Sequence, residues 1–340
     1  MSILVSGSLA YDYIMNFPDS FKNHIMPEQL HILNVCFVVD KLERSWGGTA
    51  GNIGYTMKML GADPLIVSAV GRDAKDYLDH FKKFNIATDH IFQDATKLSA
   101  SAYITTDMDD NQVTAFYSGP LNDTADIASA TTPTPPWKGG EALVSPPARG
   151  GAATAVGGGG SVSLAIIAPT DKRAMIKHSN ECHSRGIPVM FDPGQQITAF
   201  TDVELKHLIS QSQFLIGNDY EIKLIQDKTG WDAQNILKET KTLITTLGEK
   251  GSIISTSDGE IIEVAPCPPK SVDDPTGAGD AFRAGFLVGY EKGLHLKICA
   301  QIGSVAASYA IETYGTQEHS FTKEEFGERY EKTYKEKMAL

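Results

Sequence analysis

Six short apolar runs alternate with amphipathic stretches along most of the chain, and this alternation limits the fold more than any other feature. The runs are "ILVSGS" (3–8), "PLIVSAV" (64–70), "SLAIIAP" (163–169), "IPVMFDP" (187–193), "QFLIGN" (213–218) and "TLITTLG" (242–248). Each is apolar at successive rather than alternate positions, the pattern of a strand covered on both faces. Between them, residues 49–60, 73–84, 171–184, 202–211 and 219–226 read as helices, and the chain from 277 onward reads as largely helical. Buried strands interleaved with helices predict an α/β fold, a mostly parallel sheet with helices on both faces. Asp258-Gly259, between two β-rich arms in "SIISTSDGEIIEVA", is a hairpin signal. Two regions break the alternation. Residues 14–40 and 99–117 hold strand-like pieces, "NVCFVVD" and "SAYITT" followed by "VTAFY". They read as a small second sheet, a lid with strands drawn from about 14–45 and 99–118, within one domain spanning 1–340.

Charge and cysteine usage exclude several classes. The 340 residues carry 30 Lys+Arg against 42 Asp+Glu, a net charge of −12. That balance opposes a nucleic-acid binder built on a broad basic face. It does not oppose a phosphorylated ligand, because the amides at one helix start bind an anion locally. Cys36, Cys182, Cys267 and Cys299 form no CxxC pair and read as thiols in a reducing compartment. No window approaches the ~20 apolar residues of a membrane span, and the N-terminus has no basic leader. The expectation is a cytoplasmic protein with no membrane and no nucleic-acid partner.

Residues 128–161 differ in kind. The stretch is dense in Pro, Gly, Ala, Ser and Thr, without an apolar period, and reads as a loop or low-complexity insert.

Three clusters can carry chemistry. In "DPTGAGD" (274–280), Gly277, Ala278 and Gly279 let the backbone approach a ligand, and Asp280 opens the helix-like run "AFRAGFLVGYEKG". Free amides and the positive helix end there suit a phosphate, and the carboxylate can take a proton from an attacking hydroxyl. Phosphoryl transfer needs that combination; a capped turn without chemistry has the same composition. In "GGTAGNIGYTMKMLG" (47–61), Gly47 and Gly48 suit close approach to a polyhydroxylated substrate and Asn52 adds an amide; a tight strand-to-helix connection reads equally well. Asp12, after the first strand, can accept from two vicinal hydroxyls or be a surface acid. Neither GxxxxGK[ST] nor a GxGxxG after the first strand occurs, which removes the main support for a nicotinamide oxidoreductase.

Taken in order, these pieces resemble the ribokinase (PfkB) family of sugar and nucleoside kinases. The resemblance rests on "GG…GN" at 47–52, "NDYE" at 218–221, "TLGEKG" at 246–251 and "DPTGAGD" at 274–280, and spans nearly the whole chain. Within the family the likeness is closest to bacterial adenosine kinases, through "GSLAYDYIMNFP", "MPEQLH", "AFYSG", "FDPGQQ", "GDAFRAGFL" and "ETYGTQEH". It implies a ribokinase-like fold and ATP-dependent phosphorylation of the adenosine 5′-hydroxyl, with Mg²⁺. Asp280 matches the catalytic base, and Gly277, Ala278 and Gly279 the anion hole. Asp12, Gly47, Gly48 and Asn52 match the ribose-binding positions. Phe116 matches a stacking position for adenine, and Gln195 and Gln196 line the nucleoside pocket. Asn218 and Glu221 match the element that organises Mg²⁺ through water, and Thr246, Gly248 and Gly251 fall where the family holds ATP. Asp274 and Thr276, with backbone near Gly315, match a monovalent-cation site, which would take K⁺.

The chain departs from the family pattern at 128–161, where relatives carry a regular helix; a shifted reading frame or a low-complexity replacement would each produce this. It departs again at Ala102, where relatives carry a larger aromatic residue. The nearest alternative is a kinase of the same fold for another nucleoside or for ribose or fructose. A non-catalytic nucleoside-binding protein is the alternative from another class, opposed by the presence of both Asp280 and the Asn218–Glu221 pair. Exposed lid edges lead to the further expectation of a homodimer.

Overall fold

The computed structural model describes residues 2–26, 32, 34–109, 111–127 and 162–338. The anomalous segment 128–161 lies outside these residues. The described strands are β1 (Ser2–Ser6), β2 (Ala10–Asn16), β3 (Lys41–Gly47), β4 (Pro64–Gly71), β5 (Ile91–Asp94), β6 (Ala100–Thr106), β7 (Gln112–Tyr117), β8 (Val162–Ile167), β9 (Val189–Phe191), β10 (Phe214–Asn218), β11 (Thr242–Thr246), β12 (Ser252–Thr256) and β13 (Ile261–Val264). The helices are α1 (Thr49–Met59), α2 (Lys75–Lys83), α3 (Lys172–Ser184), α4 (Asp202–Ser210), α5 (Asp219–Thr229), α6 (Ala233–Glu239), α7 (Ala278–Glu291), α8 (Leu296–Ala310) and α9 (Lys323–Tyr334).

Nine strands form one sheet in the order β13-β12-β11-β10-β9-β8-β1-β4-β5. It is parallel from β5 to β11 and ends in an antiparallel β11-β12-β13 edge, whose last two strands are the Asp258-Gly259 hairpin. Strand alternation divides its side chains between two layers. Ile3, Val5, Leu164, Ile166, Phe214 and Ile216 face α1, α2, α7 and α8 through Ile53, Met57, Phe81, Phe286 and Cys299. Leu4, Ala165, Ile167 and Leu215 face the other way, onto Met175, Leu205, Ile222, Ile225 and Ile236 of α3 to α6. Runs apolar at every position are what this two-sided burial requires.

α7 is held close against α8. A Cβ on Gly285 would lie 2.7 Å from the Gly303 Cα, and one on Gly303 would lie 2.6 Å from the Phe282 carbonyl. Glycine at both places lets the two backbones touch, which seats the N-terminus of α7 over the carboxyl ends of the central strands. Among the described residues no helix is long and apolar enough to cross a membrane.

The second sheet runs β3-β2-β6-β7. Its limits differ from the sequence expectation in two ways. Asn34–Val39, inside "NVCFVVD", form no strand; the strand is the following Lys41–Gly47. Val35, Phe37 and Val39 are the half-buried positions of that stretch, and Phe37 packs against Phe17 and Phe21, so its apolarity serves a local cluster rather than a ladder. The lid also begins earlier, at Ala10. Asp12 therefore lies within a lid strand and not in the loop after β1.

Candidate active site

Two of the connections between the lid and the rest of the fold build the site. β1 passes through residues 7–9 into β2, and β3 ends at Gly47, directly before the Gly48 cap of α1. Gly48 has φ +88°, and a Cβ there would strike the Ser8 carbonyl at 2.5 Å. A side chain at Gly47 would fall 2.1 Å from Asp12 Oδ2. The first glycine of the pair thus leaves room for a carboxylate, and the second allows the turn.

Asp280 sits in the first turn of α7, behind a Gly277 cap at φ +83°. Its partner is Asn52 on α1, whose Nδ2 donates to Asp280 Oδ2 at 2.8 Å. Burial lifts the Asp280 carboxyl to about 6; the Arg283 guanidinium and the Asn52 bond hold it down, while Asp192 and Glu221 push it up. Asp12 is lifted to about 7 by burial and then by the negative charges of Asp280 and Asp274. Two acids with raised pKa values are thus brought together from the lid and the base of α7. Ala281 is the first amide of α7 with a strong helical bond back, to Gly277 at 2.9 Å, and Ala278 reaches Pro275 only at 3.4 Å. The amides of this first turn are free to meet an anion.

Paired strands put Asp12, Ala102 and Phe116 in one row across the lid, so their side chains share a face. Phe116 is exposed on that face. Gln195 and Gln196 follow β9 on a short 3-10 helix, the first exposed and the second half-buried.

Asn218 and Thr246, the last residues of β10 and β11, are direct register partners. Asn218 caps α5: its side chain accepts from the Glu221 amide at 2.7 Å, and Glu221 Oε2 accepts from the Asn218 amide at 2.8 Å. The pair is therefore a capping box, with one Glu221 oxygen left over. Burial raises the Glu221 carboxyl. Gly251, at φ +90°, has no room for a Cβ beside the Val264 carbonyl, whereas Gly248 faces open space. Asp274 is buried and accepts from the amides of Thr276 at 2.9 Å and Gly315 at 3.2 Å; the Thr276 side chain is exposed.

Sequence reasoning missed Arg283 and Asp192. Arg283 lies one helical turn after Asp280, and its Nη2 donates to Asp192 Oδ1 at 2.8 Å while Nε approaches Oδ2 at 2.5 Å. The same Nη2 is 4.0 Å from Glu221. An arginine inside the apolar run "AFRAGFLVG" was a visible signal; its acidic partner, 91 residues away, was not. Thr316, Gln317 and Tyr77 were missed as well, and they bond to the Asn52 shell described below.

A model of the pfkB family of carbohydrate kinases matches residues 23–323. The chain belongs to that family. It is a phosphotransferase with a hydroxyl acceptor, and its fold is the ribokinase-like one. Among similar proteins, a nucleoside kinase of Methanocaldococcus jannaschii is 29% identical over 328 residues, covering 96% of this chain and 95% of its own. A Burkholderia thailandensis nucleoside kinase solved with inosine superposes with a TM-score of 0.83 at 32% identity, covering 98% of this chain and 99% of that one. Its complex with ADP-inosine gives 0.81 at 33% identity, covering 99% and 97%. This pfkB kinase therefore shares its fold with a nucleoside kinase solved with inosine bound.

Proposed function

We propose that the protein is a nucleoside kinase that transfers the γ-phosphoryl group of ATP to the 5′-hydroxyl of adenosine, giving AMP and ADP. The observation that carries this reading is the row Asp12–Ala102–Phe116 on a lid face, with Asp12 coupled electrostatically to Asp280. A carboxylate for ribose hydroxyls and an aromatic ring for a base stand two strands apart on one surface. A sugar alone needs the first and has no use for the second.

In this scheme Gly47, Gly48, Asp12 and Asn52 hold the ribose, Phe116 stacks on the purine, and Gln195 and Gln196 bond its edge. Asp280 takes the 5′-hydroxyl proton as the oxygen attacks the γ-phosphorus. The bond between that phosphorus and the β,γ-bridging oxygen breaks, and ADP departs. The amides of Gly277, Ala278 and Gly279 face the charge that develops on the transferring group. An ionised carboxylate with a pKa near 6 is matched to that task at neutral pH. Thr246, Gly248 and Gly251 hold the ATP side.

The donor set around Asn218 and Glu221 is all oxygen, as a hard cation prefers. Among the described residues no three His, Cys, Asp or Glu side chains converge to hold an ion, so these two would hold Mg²⁺ through water and the ATP phosphates. Mg²⁺ supplies charge neutralisation on those phosphates. Asp274 and Thr276, with the Gly315 backbone, are the proposed monovalent-cation position.

A second reading, a broader purine nucleoside kinase, has one observation in its favour. The glutamine amides at 195 and 196 present both donors and acceptors, and so suit the 6-amino group of adenosine or the 6-oxo group of inosine. Steady-state kinetics with adenosine, inosine, ribose and fructose, using ATP and Mg²⁺, decide between the readings. Adenosine is expected to give the highest kcat/KM; ribose or fructose exceeding it would overturn the proposal. We also propose a homodimer through the lid, supported by the wholly exposed edge strand β7 with Val113 and Tyr117 open to solvent; sedimentation that gives a monomer at all concentrations would refute it.

A further inference from the structure

Asn52 is buried, and both ends of its amide are engaged. One end meets Asp280; the other lies 2.8 Å from Thr316 Oγ1 and 3.1 Å from the Gln317 amide nitrogen. An amide of this kind acts on a carboxylate in opposite ways according to its orientation. Its NH₂ end favours the ionised acid, and its oxygen end favours the protonated one.

The surrounding polar groups decide the orientation, starting from a backbone carbonyl. The Gly47 carbonyl can only accept, so the Tyr77 hydroxyl, 2.7 Å away, spends its single proton there. Tyr77 oxygen must then accept from its other neighbour, the Gln317 side chain at 2.7 Å, which presents its nitrogen. The second proton on that nitrogen points to Asn52 and requires oxygen at that end. The NH₂ end of Asn52 is left facing Asp280. Thr316 has one proton to divide between the Trp46 carbonyl and Asn52 Oδ1, both 2.8 Å away, so it cannot impose this order alone.

We propose that Gln317 is a positioning residue: it transmits the polarity of the Gly47 carbonyl, through Tyr77, to Asn52, and so fixes the NH₂ end of Asn52 against Asp280. The same carbonyl belongs to the glycine that makes room for the Asp12 carboxylate. The lid junction and the acid at the start of α7 are thus joined by one directional chain of hydrogen bonds. The groups around Asp280 are Arg283 on its own helix, Asp192 after β9, Glu221 on α5 and Asp12 on β2. His80 on α2 lies beside Gln317; burial lowers its pKa, against the raising effect of its hydrogen bond with Gln317. The Asn52 amide bonds to none of these groups; its described partners are Asp280, Thr316 and Gln317.

The catalytic meaning of the chain rests on the proposed function, but the orientation does not, so the test reads it without turnover. Neutron diffraction of the unliganded wild-type enzyme in D₂O is expected to show two deuterons on the Asn52 atom facing Asp280 and the Tyr77 deuteron directed at the Gly47 carbonyl. Oxygen density facing Asp280 would overturn the inference. In ¹³C-carboxylate NMR, with D280N used for assignment, Gln317→Met is expected to raise the Asp280 titration midpoint by about one pH unit. Tyr77→Phe, which removes the hydroxyl that orients Gln317, should move it the same way and carries the test if Q317M does not fold. A folded variant whose midpoint stays at the wild-type value would remove Gln317 from this role. A protein that passes both tests yet phosphorylates no nucleoside would refute the proposed function alone.

Discussion

Gly47→Ala is the sharpest test of how the lid junction builds a substrate site. The backbone at Gly47 is outside the left-handed region, so alanine brings no conformational penalty and adds only a methyl group. That methyl would lie 2.1 Å from Asp12 Oδ2, 2.6 Å from Cγ and 2.8 Å from Oδ1. Ordinary contact begins near 3.4 Å, so the carboxylate must retreat by about 1 Å, enough to lose hydrogen bonds to a ligand held in place by other groups. A charge-assisted bond contributes about 1.5–3 kcal/mol, and tenfold in affinity corresponds to about 1.4 kcal/mol. The nucleoside KM should therefore rise by about 10- to 100-fold. kcat should change little, because ribose binding is common to ground and transition states. A coupled ADP-release assay measures both constants. The decisive control is the D12A background, where the added methyl meets no carboxylate and should cost almost nothing. A KM within twofold of wild type in G47A, or a loss on adding G47A to D12A as large as on adding it to wild type, would show that the contact between Gly47 and Asp12 does not govern binding.

Three more outcomes follow from the same geometry. kcat/KM for the nucleoside should rise with pH between about 5 and 8, because Asp280 near 6 and Asp12 near 7 act as ionised groups; a profile flat across that range would contradict their assignment. Asp280→Asn should lower kcat by about 10³-fold and yet raise stability at alkaline pH. Both acids have folded values above the unfolded one, so the stability they contribute is complete below about pH 4 and is lost as pH rises through 6 to 7. The variant escapes part of that loss, on the order of 2 kcal/mol at pH 8 and near zero at pH 4; denaturant melts at the two pH values check the crossing, and equal differences at both would refute it. Arg283→Met should destabilise the fold by about 3–5 kcal/mol by stranding Asp192 in the interior, and Asp192→Leu added to it should recover most of that loss; failure of the second change to recover stability would deny the pair its structural role.

What could be read from the sequence was what depends on local pattern. Unbroken apolar runs specified six of the nine strands of the large sheet, because a residue buried on either face must be apolar whichever neighbour it meets; the edge strand β5, short and only partly buried, gave no such run. "DPTGAGD" announced a helix start with an acid in its first turn, since caps and glycine turns act within a few residues. The lid was harder. Lys41–Gly47 are mostly polar and pair as a strand because β2 lies beside them, while the apolar "NVCFVVD" forms no strand and turns Phe37 onto Phe17 and Phe21. Asn218 and Glu221 were recognisable by spacing as a cap, but that they would end beside Thr246 depended on the pairing of β10 with β11.

Tertiary structure alone decided the electrostatics. Asp280 is an ordinary acid in the chain, and its shift comes from burial among Arg283 on its own helix and Asp192, Glu221 and Asn52 from three other parts of the chain. The same holds for Gln317, whose partners Asn52 and Tyr77 lie 265 and 240 residues away. Local sequence determines which backbone each residue adopts, because sterics and capping act over one or two turns. Proton affinity and amide orientation depend on dielectric and on charges within a few ångströms, and only the folded chain brings those together.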